Sequence, residues 1–151
     1  MITRRDFRVA VIAIAATVAV GALAQTAAKP LMRSRVFQWN EMKVAATKTG
    51  ERRAVFDAPT PTLERFECHI TTLNPGESPH VAHRHPEEEM MIVKEGTLEV
   101  IQNDTTNRVT VGGIIFCASN ELHGLRNVGT NRATYHVLKW YPHDLAQAEL
   151  K

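Results

Sequence analysis

Residues 83–89 read His83-Arg84-His85-Pro86-Glu87-Glu88-Glu89, and a lone His123 stands much later in the chain. His83 and His85 are separated by one residue, so on a β-strand both imidazoles leave from the same face. Glu89 lies four residues past His85 and can return a carboxylate to the same point if the chain turns at Pro86. Three histidines and one carboxylate form a mixed nitrogen and oxygen set suited to a borderline divalent metal such as iron(II), manganese, nickel or zinc. Taken alone, the His-x-His pair would read as readily as polar residues at a strand end, with Glu87 to Glu89 as a solvated acidic run. The surrounding pattern favours a metal site.

That pattern begins with Gly76 and closes with Gly96, and it returns in Gly112, His123 and Asn127. It resembles the two motifs of the cupin family. In the first motif a glycine precedes His-x-His, a glutamate and a closing glycine. Gly76, His83, His85, Glu89 and Gly96 supply it, with a spacer after Gly76 one residue longer than usual. In the second motif Gly112, His123 and Asn127 stand at the family spacing, while Ala118 replaces a proline and Asn120 a glycine. Asparagine tolerates left-handed backbone angles better than most residues, so the turn is expected to survive. The resemblance implies an all-β fold, the double-stranded β-helix or jelly-roll barrel, with one domain over residues 63–151. It says little about substrate, because one fold hosts many functions.

Residues 1–24 differ in kind from the rest of the chain. Thr3-Arg4-Arg5-Asp6-Phe7 resembles the twin-arginine export signal, with Arg8 where leucine is more usual. Val9 to Ala24 is alanine- and valine-rich, yet shorter than the roughly 20 residues a transmembrane helix needs. It ends in Ala22-Leu23-Ala24, a small-x-small pattern that reads as a signal peptidase site before Gln25. The expectation is a cleaved leader, no stable membrane insertion, and a periplasmic protein. Arg4, Arg5 and Arg8 leave with Asp6, which removes the whole formal charge of +2. The remainder is neutral and carries no Lys/Arg cluster interleaved with aromatics, so nucleic-acid binding is excluded as a reading.

Residues 25–62 are rich in alanine, lysine, threonine and proline with little periodicity. They read as an extended N-terminal arm with one short strand around Val36 to Trp39. From Leu63 onward the pattern is β. Phe66, Cys68 and Ile70 alternate with Glu67, His69 and Thr71, which predicts a strand that buries the first set. Asn74-Pro75-Gly76 closes it as a turn. Further strands are expected at Glu89 to Val93, Leu98 to Gln102, Arg108 to Val111, Ile114 to Cys117 and Thr134 to Trp140, with Asn103-Asp104 as a hairpin turn. Short strands at such intervals indicate a sandwich or barrel.

In the barrel that the resemblance implies, His83, His85 and Glu89 would project from neighbouring strands of one sheet and His123 from the facing side. The metal would keep two positions open, as catalytic sites do. Glu89 is preferred to Glu88 because it shares a face with Met91 and Val93 and alone fits the spacing to Gly96. It is the candidate catalytic residue, as ligand or, once displaced, as base. His80 has the wrong parity and reads as a loop histidine; His136 reads as cavity lining or as an ordinary packed histidine. Arg126 and Asn127 are candidates to support the loop around His123. Cys68 and Cys117 sit in apolar strand contexts, where free cysteine behaves as a small hydrophobe.

Twin-arginine export carries folded proteins, so metal would be acquired in the cytoplasm, where availability can favour manganese or iron(II) over tighter binders. The sequence therefore leads to an exported, metal-dependent enzyme of small molecules, dioxygenase-like, with Mn2+ or Fe2+ favoured over Ni2+ or Zn2+. The alternatives are a non-catalytic sugar or small-acid binding module, and a redox-neutral isomerase, lyase or decarboxylase. A homodimer is expected by resemblance.

Overall fold

The computed structural model describes residues 29–143, so the expected leader and its cleavage site lie outside the described residues. Nine strands follow one short 3-10 turn at Trp39–Glu41: β1 (Val44–Thr47), β2 (Gly50–Ala58), β3 (Arg65–Leu73), β4 (Glu88–Glu95), β5 (Thr97–Gln102), β6 (Thr105–Thr110), β7 (Ile114–Cys117), β8 (His123–Asn127) and β9 (Ala133–Tyr141). They form a six-stranded sheet in the order β1-β2-β3-β9-β4-β7 and a three-stranded sheet in the order β6-β5-β8. Every pairing is antiparallel. Among the described residues no helix is long and apolar enough to cross a membrane.

The two sheets close over a core in which Leu73, Val93, Leu98, Val100, Ile115 and Val137 meet. Alternation in β5 shows why: Leu98 and Val100 are buried while Glu99 between them is not, as expected for a strand with one face on the core. The turns form where left-handed backbone can be adopted. Gly76, Gly96 and Gly112 have φ of 79°, 84° and 83°, and Asn120 has φ of 60°. Asn120 therefore keeps the turn geometry that a glycine would supply. At Gly96 a side chain is also excluded by space, since an added Cβ would lie 2.7 Å from Ala133 Cα. Asn103, at φ 50°, opens the β5–β6 hairpin and ties it to the Asn120 turn, where its Oδ1 accepts from Leu122 N at 3.1 Å.

One expectation is corrected. The stretch expected to be an arm with a strand at Val36 to Trp39 has no strand there. The chain turns through Trp39–Glu41 and then builds β1 and β2, which extend the six-stranded sheet. These strands lack hydrophobic alternation because β1 is an exposed edge and β2 is only half-buried. A bulge between Ala54 and Phe56 also breaks the parity of β2.

In β3 the expected apolar set is buried at Cys68 and Ile70, with 8% and 1% exposure, but on the outer side of the sheet. Phe66, Cys68 and Ile70 face away from the barrel interior, and Glu67, His69 and Thr71 share the face that lines it. Register fixes this: His69 pairs with Val137, which lines the cavity, whereas Ile70 pairs with Arg53 and His136 on the outside. The outer face is nevertheless buried because the N-terminal segment lies over it. Phe37, Phe56 and Phe66 form a chain of tilted rings with centroids 5.4 Å and 5.0 Å apart. Trp39 is capped by Arg53 at 4.7 Å and Lys94 at 4.1 Å.

Burial has a chemical consequence for both cysteines, which are free. It pushes the Cys68 thiol up to about 11 and the Cys117 thiol up to about 12. Neither will react with iodoacetamide in the folded, metal-free protein at neutral pH, because the thiolate is the nucleophile. Intact mass should show no native adducts and two after denaturation. Native labelling of Cys68 alone would mean that the N-terminal cover opens.

Candidate functional site

The loop that precedes β4 runs along β8. His83 N donates to His123 O and His123 N donates to His83 O, each at 3.0 Å, a single bridge outside the regular strands. Two further bonds fasten the next residues to the Asn120 turn: Asn120 N donates to His85 O, and the Arg84 guanidinium donates to Asn120 O, both at 2.8 Å. His83 and His85 therefore accompany the three-stranded sheet that carries His123, and Glu89 comes from the facing sheet. This reverses the expected grouping. The reason is that the chain crosses between sheets at Pro86, after the histidines and before β4.

The three imidazoles converge. Ring centroids of His83 and His123 are 4.8 Å apart, and those of His85 and His123 4.7 Å. One ligand-capable atom from each of the three histidines falls within 4.8 Å of the others. Glu89 is buried below them, with its carboxylate 3.7 Å from His85 Nε2. Its neighbour Glu88 turns to the other face and accepts from Trp140 Nε1 at 2.7 Å.

Hydrogen bonds define the ring tautomers. His85 Nδ1 lies 2.9 Å from Glu87 O, and His123 Nδ1 lies 2.9 Å from Glu121 O. A carbonyl only accepts, so each Nδ1 carries a proton, and in the neutral ring that leaves a lone pair on Nε2. Both Nε2 atoms are buried without a hydrogen-bond partner, as is His83 Nδ1. Burial lowers the pKa of His83, helped by the adjacent His80, and that of His85, helped by Lys139. The neutral ring is the form that binds a metal. Unpartnered buried nitrogen atoms are uncommon in folded proteins and call for an explanation; a shared cation fits all three.

Sequence patterns alone miss several groups at this site. Lys139 of β9 places Nζ 3.1 Å from the Glu89 carboxylate. Cys117 of β7 pairs in register with Glu89 and joins it and His123 in a second buried donor set, also within 4.8 Å. His69, Glu67 and Arg52 form a polar chain across β3 and β2, with Glu67 Oε1 3.1 Å from His69 Nδ1 and 2.9 Å from the Arg52 guanidinium. Burial and Arg52 lower the His69 pKa. These residues meet through cross-strand register, which no local pattern announces.

The remaining candidates separate. His80 is exposed, packs edge-on against His83 at 4.3 Å and lines the cavity without joining either donor set. His136 lies on the outer face between Ile70 and Ile92. Arg126 holds Gly76 O at 2.9 Å. Asn127 is fully buried and holds the loops on either side of it, not the His123 ring.

Between the sheets a cavity of about 250 Å³ opens beside Glu89 and His123, with Thr71, Tyr135, Met91, Lys139 and Arg52 among its walls. It is smaller than the roughly 300–1,000 Å³ typical of drug-sized ligands, so it suits a small molecule.

A double-stranded β-helix with converging imidazoles at its mouth has the architecture of a cupin barrel, and residues 69–139 match the family described as Cupin domain. Solved cupins share the architecture at low identity. An RmlC-like cupin from Shewanella frigidimarina is 13% identical with a TM-score of 0.60, over 74% of this chain and 95% of its own. KdgF from a Halomonas species is 16% identical with a TM-score of 0.61, over 75% and 99%. The polyketide cyclase RemF from Streptomyces resistomycificus is 23% identical with a TM-score of 0.59, over 72% and 80%. No curated protein matches the sequence.

Proposed function

We propose that this cupin is a metal-dependent enzyme of small molecules, dioxygenase-like, in which His83, His85, Glu89 and His123 hold an iron(II) or manganese ion. The observation that carries this reading is the set of three buried ring nitrogens without partners. A bound ion of this kind supplies Lewis acidity and one-electron chemistry to a substrate that chelates through oxygen.

The chain's own residues suggest the substrate's shape. Met91 and Val137 give the cavity an apolar side, and Thr71 and Tyr135 give it hydroxyl groups. Burial raises the Tyr135 pKa further, so its phenol stays a neutral donor. Lys139 stands beside Glu89, where a substrate oxyanion can take it as a partner. Glu89, with its carboxylate 3.7 Å from the unpartnered His85 Nε2, would accept a proton from substrate if released from the metal. The matching substrate is small, oxygen-rich and planar, of the phenolic or enediol type.

The test is metal content of the purified full chain, followed by oxygen uptake with a panel of phenolic and dicarbonyl compounds. Near-stoichiometric iron or manganese with substrate-dependent uptake is expected. Bound metal with no uptake would redirect the reading to redox-neutral chemistry or binding, and a folded, metal-free protein would end it. We also propose export to the periplasm and a homodimer. Gln25 should be the N-terminal residue of periplasmic material, and size-exclusion with light scattering should give twice the mature mass.

A further inference from the structure

We propose that Cys117 is a metal ligand, so that the site is a mixed nitrogen, oxygen and sulfur centre that selects iron(II) over manganese. The inference rests on the reading that the histidine cluster holds a metal. It adds a donor that the sequence pattern did not supply.

Three observations carry it. Cys117 Sγ, a Glu89 carboxylate oxygen and a His123 ring nitrogen all lie within 4.8 Å of one another. All three residues are buried, at 1%, 7% and 3% exposure. His123 Nε2 has no hydrogen-bond partner, and His123 is the side chain common to the imidazole set and the set that contains the sulfur. Register explains the proximity. Cys117 sits directly opposite Glu89 where β7 pairs with β4, so its side chain shares the inward face of the sheet. As a packing residue an aliphatic side chain would serve equally well at this place. Only sulfur adds a soft donor beside the carboxylate.

Coordination exchanges the thiol proton for the metal: the S–H bond breaks, a sulfur–metal bond forms, and the proton passes to solvent. Thiolate favours iron(II), cobalt(II) and zinc over manganese, which prefers oxygen. Of the two metals proposed above, iron(II) is therefore selected.

Cobalt(II) added to the full chain is the probe, in a Cys68→Ser background, so that Cys117 is the only sulfur able to give a thiolate. Binding accompanied by a near-ultraviolet sulfur-to-cobalt charge-transfer band supports the proposal. Cobalt bound with only weak visible bands overturns the sulfur ligand and leaves the histidine site intact. Failure to bind cobalt at all overturns both. In a folded Cys117→Ser variant the preference for iron(II) over manganese should fall about tenfold, as expected when a soft ligand is lost; an unchanged ratio defeats the claim of selection.

Discussion

His123→Ala will strip the protein of metal while the barrel stays folded. His123 is the one residue present in both donor sets, so its loss leaves neither set complete. Even outer-shell partners of metal ligands are worth on the order of 10–100-fold in affinity, and a direct ligand shared by every donor combination should cost more than about a hundredfold. The backbone bridge to His83 uses main-chain atoms and survives the substitution. The measurement is the metal-to-protein ratio after desalting, with far-ultraviolet circular dichroism as the folding control. His80→Ala supplies the contrast, because His80 touches His83 but joins neither donor set. Equal metal loss in both variants would show that the cluster responds to general loosening rather than to a lost ligand.

Asn127→Leu will have the largest effect on stability. Asn127 is 0% exposed. Its Nδ2 donates to Leu73 O at 3.1 Å and Asn131 O at 2.8 Å, and its Oδ1 accepts from Gly129 N at 3.0 Å. Leucine has similar volume but leaves Leu73 O without its partner in a buried place and Gly129 N and Asn131 O without theirs in part-buried ones. Each unsatisfied group costs about 1–3 kcal/mol, so the total is about 5 kcal/mol. For a domain of this size that corresponds to a fall in Tm on the order of 15 °C. Thermal unfolding of the metal-free protein measures it without a contribution from binding. A loss under about 1 kcal/mol would mean that water enters and satisfies the three groups. The second cupin motif thus ends on a structural residue, and its asparagine should not be read as part of the chemistry.

How much of the fold and site is legible in the sequence depends on the range of each interaction. Gly76, Gly96, Gly112 and Asn120 mark positive-φ turns, a local property that residue type reports directly. Glu89 is separable from Glu88 by strand parity, and Glu88 does turn outward to Trp140. The inward-facing polar side of β3 is easily misread because alternation reveals that a strand has two faces, not which one meets the cavity. Here both faces are covered, one by the barrel and one by Phe37 and Trp39 of the N-terminal segment. Lys139 and Cys117 reach Glu89 only through the pairing of β9 and β7 with β4. Separations that long leave no signature in a single chain.

The wall formed by β1, the turn after it and β2 assigns a separate role to a part of the chain that precedes the family-matched segment. Thr47, Thr49 and Arg52 border the cavity, yet none belongs to either donor set. Part of the cavity wall and the donor atoms are thereby supplied by different stretches of polypeptide. An exchange of residues 44–58 between cupins would rebuild this wall of the cavity while the donor atoms stay in place, so on the proposed reading this edge of the sheet is where the admitted compound can be retuned apart from the metal site.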